Sequence, residues 1–301
     1  MTLHDQEFHP DLARMAHFLP RGIVGPRTLP TIRALTGLTR LSRNADVEVR
    51  RLDSGGSVRI TTPRGTTGDV PGLLWIHGGG YVIGTAQQDD ALCRRFADDL
   101  GAIVVSVDYR LAPEHPFPAP LDDCHEALSL LRGLPGVDTD RIAIGGASAG
   151  GGLAAQLALR IRDRGEPRPM LQLLVYPMLD DRTAAASGDE TNLRMWHGKS
   201  NRFGWDAYLG GADPVDVAPA RRADLAGLAD AWIGVGTHDL FHLEDLAYAD
   251  RLRAAGVDCD VEVVDGAFHG FDLVSPAAPI SREFYRRQAA ALRSAFCDEK
   301  G

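Results

Sequence analysis

A chain of 301 residues, 44% hydrophobic and 24% charged, can bury a large core and is too apolar to be a disordered polymer. Its 32 basic and 41 acidic residues leave a net charge of −9. With no Lys/Arg run longer than an adjacent pair such as Arg221-Arg222, the charge argues against a nucleic-acid partner, because such binding rests on neutralising phosphates.

Residues 1 to about 45 form an amphipathic, proline-punctuated prelude. Its start, MTLHDQEFHPDLARM, lacks a basic region followed by an apolar stretch, and no later window has the length of a membrane span. The expectation is a cytoplasmic protein without stable membrane association. Eight runs then read as strands: 47–52, 57–62, 72–77, 102–107, 141–146, 171–176, 231–236 and 260–264. The first two are partly polar and joined by DSGG, as a hairpin at a sheet edge would be. The later ones are nearly continuous apolar runs, as strands covered on both faces must be. Helical patterns at 89–101, 121–133, 151–165, 243–256 and 281–296 lie between and after them. This alternation predicts a mostly parallel sheet flanked by helices, with functional residues at the carboxyl ends of strands. A segment from 180 to about 215, with Met195, Trp196, Phe203, Trp205 and Tyr208, breaks the alternation and is read with the prelude as a cap on one domain spanning 1–301. Cys93, Cys124, Cys259 and Cys297 form no C-x-x-C pair and read as reduced packing thiols.

The glycine cluster GGASAGGG at 145–152 invites a nucleotide reading, which fails on spacing. No Lys follows it as a P-loop requires, and neither it nor HGGGYVIG (77–84) nor GVGTHD (234–239) supplies G-x-G-x-x-G. What remains is Gly146-Ala147-Ser148-Ala149-Gly150, a G-x-S-x-G between a strand and a helix, the context of a nucleophile elbow. A serine hydroxyl needs a base, and the base needs an orienting group. His269, in DGAFHGF after the last strand, is the candidate base. Asp239, after the seventh strand, completes the order Ser, Asp, His and is preferred to Asp265, Asp272 and Glu244 because of where its strand leaves it. His77-Gly78-Gly79-Gly80 follows the third strand and is suited to bring backbone N–H groups to an oxyanion, joined by the N–H of Ala149 at a helix N-terminus.

HGGGYVIG, YRLAPEHPFPAP (109–120), GASAGG, the HD at 238–239 and HGF (269–271) together resemble the hormone-sensitive lipase family of α/β-hydrolase carboxylesterases. The resemblance runs from about residue 70 to the end. It implies an eight-stranded α/β-hydrolase fold with a helical cap, and hydrolysis of short- to medium-chain acyl esters without cofactor or metal. It also implies Ser148 as nucleophile, Asp239 as orienting acid, His269 as general base, and Gly78, Gly79 and Ala149 as oxyanion donors. His77, Gly84 and the YRLAPE residues would shape the surrounding loops. Two positions depart from the family pattern: Ala147 stands where Asp or Thr is usual, and Leu240-Phe241 where Pro-Leu is common. Ala147 thus matches neither of the usual subfamily patterns, and the resemblance allows a homodimer.

The same residues bear on two other function classes. Receptors of the same family bind ligands in the esterase pocket but have lost the triad histidine, whereas His269 is retained here. A metal hydrolase is suggested by His238 and His242, four apart, but the Glu of H-E-x-x-H is missing. Tyr81, Phe241, Phe271, Trp196 and Trp205 are the aromatic candidates for an apolar substrate pocket. Lactones, aryl esters and small amides are further substrate classes that such a pocket could take.

Overall fold

The computed structural model describes residues 8–22, 24–39, 46–65, 68–183 and 190–297. Parts of the two expected cap segments, 1–7, 40–45 and 184–189, lie outside the described residues. The strands are β1 (Glu48–Arg51), β2 (Ser57–Thr61), β3 (Val70–Ile76), β4 (Ile103–Asp108), β5 (Val137–Ala147), β6 (Leu171–Val175), β7 (Asp230–His238) and β8 (Cys259–Phe268). They form one eight-stranded sheet in the order β1-β2-β4-β3-β5-β6-β7-β8. β2 pairs antiparallel with β1 and β4, and every other pair is parallel. All eight expected strands are present. The polar hairpin forms one edge, where β1 is exposed along its whole length.

The central strands β3 and β6 are buried along their whole length because helices cover both faces. Along β3, Leu74 and Ile76 join a core cluster with Leu128 and Leu131 of α4 (Ala119–Arg132) and Leu153 and Leu157 of α5 (Ala149–Asp163). Leu73 and Trp75 point the other way, into a cluster with Phe96 of α3 (Asp90–Leu100) and Phe284 and Leu292 of α10 (Pro279–Cys297). The period of two along a strand thus feeds two cores. α8 (His242–Ala254) bridges β7 to β8, and α9 (Phe271–Val274) is a short turn before α10.

The remaining helices belong to the segments outside the alternation: α1 (Pro10–Ala16) and α2 (Leu29–Thr39) before the sheet, and α6 (Gly198–Leu209) and α7 (Pro214–Val217) between β6 and β7. These segments, far apart in sequence, are stitched together. Arg194 Nε donates to Ala16 O (2.6 Å), Met195 N–H to Pro20 O (2.9 Å), and Ser200 Oγ to Val24 O (2.7 Å). The Arg194 guanidinium also lies over the Phe8 ring, 4.7 Å from its centroid. Arg33 of α2 ties the prelude to the loops after β3 and β4, donating to Val82 O and Ala112 O and pairing with Glu114. No helix among the described residues is long and apolar enough to cross a membrane.

Candidate active site

Strand register decides which residues meet. Ile76 pairs with Gly146, so His77-Gly78 and Ala147-Ser148 leave the sheet at the same height. Two strands away, His238 pairs with Phe268, which sets Asp239 and His269 side by side. The four segments converge on the carboxyl edge, as expected for an open parallel sheet.

Ser148 occupies the turn between β5 and α5 with φ 57° and ψ −122°, a region that costs a non-glycine residue of order 1–3 kcal/mol and persists only when its surroundings over-determine it. They do so here. Its N–H donates to Val175 O (2.9 Å), and its carbonyl accepts from Gly152 N–H and Met178 N–H, each at 3.0 Å. The turn brings Gly146 and Gly150 together so closely that a Cβ on Gly146 would stand 2.5 Å from the Gly150 backbone, and one on Gly150 would overlap the Ile76 carbonyl oxygen. Close approach therefore dictates both glycines. The methyl of Ala147 packs against the core on the α3/α10 side.

His269 Nε2 lies 2.9 Å from Ser148 Oγ, and His269 Nδ1 lies 2.8 Å from Asp239 Oδ2. A carboxylate only accepts, so Nδ1–H donates to Asp239 and the neutral ring is left with Nε2 free to accept the serine proton. The other Asp239 oxygen accepts from Phe241 N–H at 3.0 Å. All three residues are buried. The rival acids are engaged elsewhere: Asp265 accepts from Thr237 Oγ1 (3.1 Å), Asp272 from Tyr176 OH (2.7 Å), and Glu244 from Leu179 N–H (2.6 Å).

On the facing side, Gly78 is so close to the elbow that a Cβ there would lie 3.2 Å from Ser148 Cβ. His77 is fully buried, and its Nδ1–H donates to Gly78 O (2.8 Å). Its ring stacks on Tyr109 at 4.2 Å, and Tyr109 OH donates to His77 O (3.1 Å). Arg110 is fixed by a fork to the buried Asp123. The YRLAPE run thus braces the glycine loop from beneath. Ala149 opens α5, so its N–H has no acceptor within the helix and points with the helix dipole toward the serine side.

Of the five aromatic candidates, Trp196 and Phe241 lie near the His269 ring, at 6.5 Å and 5.2 Å between centroids. Tyr81, Trp205 and Phe271 sit in packed interiors. Tyr81 stacks on Tyr208 (4.0 Å), touches Trp205 (5.4 Å) and donates to Met178 O, while Phe271 packs on Phe284 (5.0 Å). One neighbour of His269 carried no sequence signal: Tyr176, after β6, approaches the ring at 4.8 Å from a backbone with φ 35°. His238 is buried with its ring edge-on to Phe8 at 5.1 Å, and burial lowers the pKa of both His238 and His242. Among the described residues no three His, Cys, Asp or Glu side chains are placed to hold a metal ion. Buried acids flank the region, and burial raises the pKa of Asp245 and Asp272 above the ordinary carboxylate value. Burial pushes Asp89, which accepts from Trp75 Nε1 (2.8 Å), up to about 7, and Glu244 up to about 8.

Sheet order and elbow together define an α/β hydrolase. The family described as alpha/beta hydrolase fold matches residues 73–273. Esterase LipI of Mycobacterium tuberculosis is 37% identical over 75% of this chain and 73% of its own length, and carboxylesterase NlhH of the same organism is 36% identical over 79% and 78%. A solved bacterial heroin esterase, 36% identical, superposes with a TM-score of 0.87 over 97% of this chain and 98% of its own. The chain belongs to this family, as a hormone-sensitive-lipase-like α/β hydrolase.

Proposed function

We propose that the protein is a serine carboxylesterase that hydrolyses short- to medium-chain acyl esters through an acyl-enzyme. The observation that carries this is the unbroken path Ser148 Oγ, His269 Nε2, His269 Nδ1, Asp239 Oδ2, with both links at hydrogen-bond distance and the glycine loop against the serine. Relatives named esterase and carboxylesterase support the reaction class.

Ser148 attacks the ester carbonyl while His269 takes its proton, and Asp239 stabilises the imidazolium that forms. The carbonyl oxygen gathers charge against the N–H groups of Gly78, Gly79 and Ala149, each such donor contributing about 2.7–4 kcal/mol of barrier reduction. His269 then returns the proton to the departing alkoxide, and a water activated by the same ring releases the acid. Tyr176, Phe241 and Trp196 enclose the imidazole in apolar rings, which limits competing water. The segments carrying α1, α2, α6 and α7 act as a cap on a single domain, held together by Arg194 and its neighbours.

A serine-directed fluorophosphonate probe tests the assignment. Wild type is expected to label and Ser148→Ala to remain unlabelled, with hydrolysis of p-nitrophenyl butyrate lost in parallel. Wild type that folds but neither labels nor turns over would favour the ligand-binding alternative.

A further inference from the structure

Resting on the esterase reading, we infer that Trp196 is the residue that selects the alcohol part of the ester. The indole lies directly on the glycine loop. A Cβ on Gly80 would overlap its six-membered ring, so only glycine admits the tryptophan there. From that contact the ring extends to within 6.5 Å of the His269 ring centre, tilted 38° to it. Trp196 is 4% exposed, and its Nε1–H donates to Asn201 Oδ1 of α6 at 3.2 Å, in a buried position.

The backbone delivering the ring is strained. Met195 has φ 67°, and Trp196 N–H closes back onto Arg194 O at 2.8 Å, a three-residue turn of the rare, strained hand. The first two residues of the turn are tied to the N-terminal segment, through Met195 N–H to Pro20 O and Arg194 Nε to Ala16 O. Strain of this kind is kept where the surroundings over-determine it, and here it aims a large ring at the reacting centre.

The geometry of the tetrahedral intermediate says which part of the substrate meets that ring. Around the reacting carbon, opposite Ser148 Oγ, three substituents splay: the oxyanion toward Gly78 and Gly79, the alkoxy oxygen toward His269 Nε2, which must protonate it, and the acyl chain in the remaining sector. Trp196 spans from the glycine loop to the imidazole. It therefore borders the alkoxy group and leaves the acyl sector open. Unbranched or planar alcohols can pass along the indole face, while branching at the carbon bearing the oxygen collides with it.

The test uses two series on the purified full-length protein: acetates of ethanol, isopropanol and tert-butanol with the acyl group constant, and p-nitrophenyl esters of increasing acyl length with the alcohol constant. Trp196→Ala is expected to raise kcat/KM for the branched acetates relative to ethyl acetate by roughly tenfold or more, the scale on which a shaped apolar pocket discriminates. The acyl-length ratios should stay as in wild type. Trp196→Phe, which keeps an aromatic ring but lacks both the far indole edge over Gly80 and the bond to Asn201, should fall between the two and serves if the alanine variant fails to fold. Unchanged alcohol ratios in a folded variant, or a shift in acyl preference instead, would overturn the inference. Failure of the esterase reading looks different: wild type would then turn over none of the esters.

Discussion

Replacing Glu244 by glutamine is expected to flatten the fall in stability that accompanies a rise in pH from ~5 to ~8. Glu244 is 7% exposed, and one of its oxygens accepts from Leu179 N–H (2.6 Å) and Asp180 N–H (3.1 Å), tying the start of α8 to the segment after β6. Burial outweighs the favourable bonds from Thr183 and the two backbone groups and moves the carboxyl from 4.5 up to about 8. A carboxyl whose pKa is raised on folding contributes stability that is present at low pH and lost as pH rises through the folded value. Between pH ~6 and ~8 the native state holds a proton that the unfolded chain has already released, and integrating over that interval gives a loss of about 2 kcal/mol. A glutamine side chain in this place would keep an oxygen for both N–H groups and has nothing to ionise, so this part of the slope should vanish. Asp89, raised to about 7, acts in the same sense in both proteins and cancels from the comparison. Urea unfolding followed by tryptophan fluorescence at several pH values across this range measures the effect. Parallel pH dependences for wild type and Glu244→Gln would refute the reasoning, because the carboxyl would then be solvated in the folded state.

Asp239→Asn should leave the fold intact and lower kcat about 10⁴-fold, since the amide presents His269 with the wrong partner for its Nδ1–H; steady-state kinetics beside a thermal melt separates the two effects. Gly150→Ala should destabilise the protein by about 3 kcal/mol or more, because its Cβ would overlap the Ile76 carbonyl oxygen in backbone that cannot yield; denaturant unfolding reads it. Arg194→Ala removes the ties to Ala16 O and Phe8, so limited proteolysis should speed up within the two cap segments while the sheet stays protected.

How much of the molecule is legible in its sequence follows from the range over which each feature is determined. The central strands are readable because burial on both faces demands a nearly continuous apolar run, as in β3 and, but for Gln172, β6. The elbow is readable because close packing at Gly146 and Gly150 writes glycine into fixed places around Ser148. Choosing Asp239 over Glu244 or Asp272 also rests on local information, since a strand end is a defined point on the sheet and the other two carboxyls lie on the helices that follow. The aromatic residues are different. Nothing in the letters separates Trp196, laid on Gly80, from Trp205, packed on Tyr81, because both orientations depend on how α6 meets the N-terminal segment. Arg194 bonding to Ala16 is a contact between residues 178 positions apart, beyond any periodicity. Tyr176 owes its place beside His269 to a backbone conformation that tyrosine does not advertise.

The pairing of His238 with Phe268 has a bearing on the life of the chain during synthesis. The base arrives only with β8, the last strand made and the outermost on its side of the sheet. An elbow and glycine loop without β8 would lack a proton acceptor for Ser148. Hydrolytic competence therefore depends on the final strand docking in correct register.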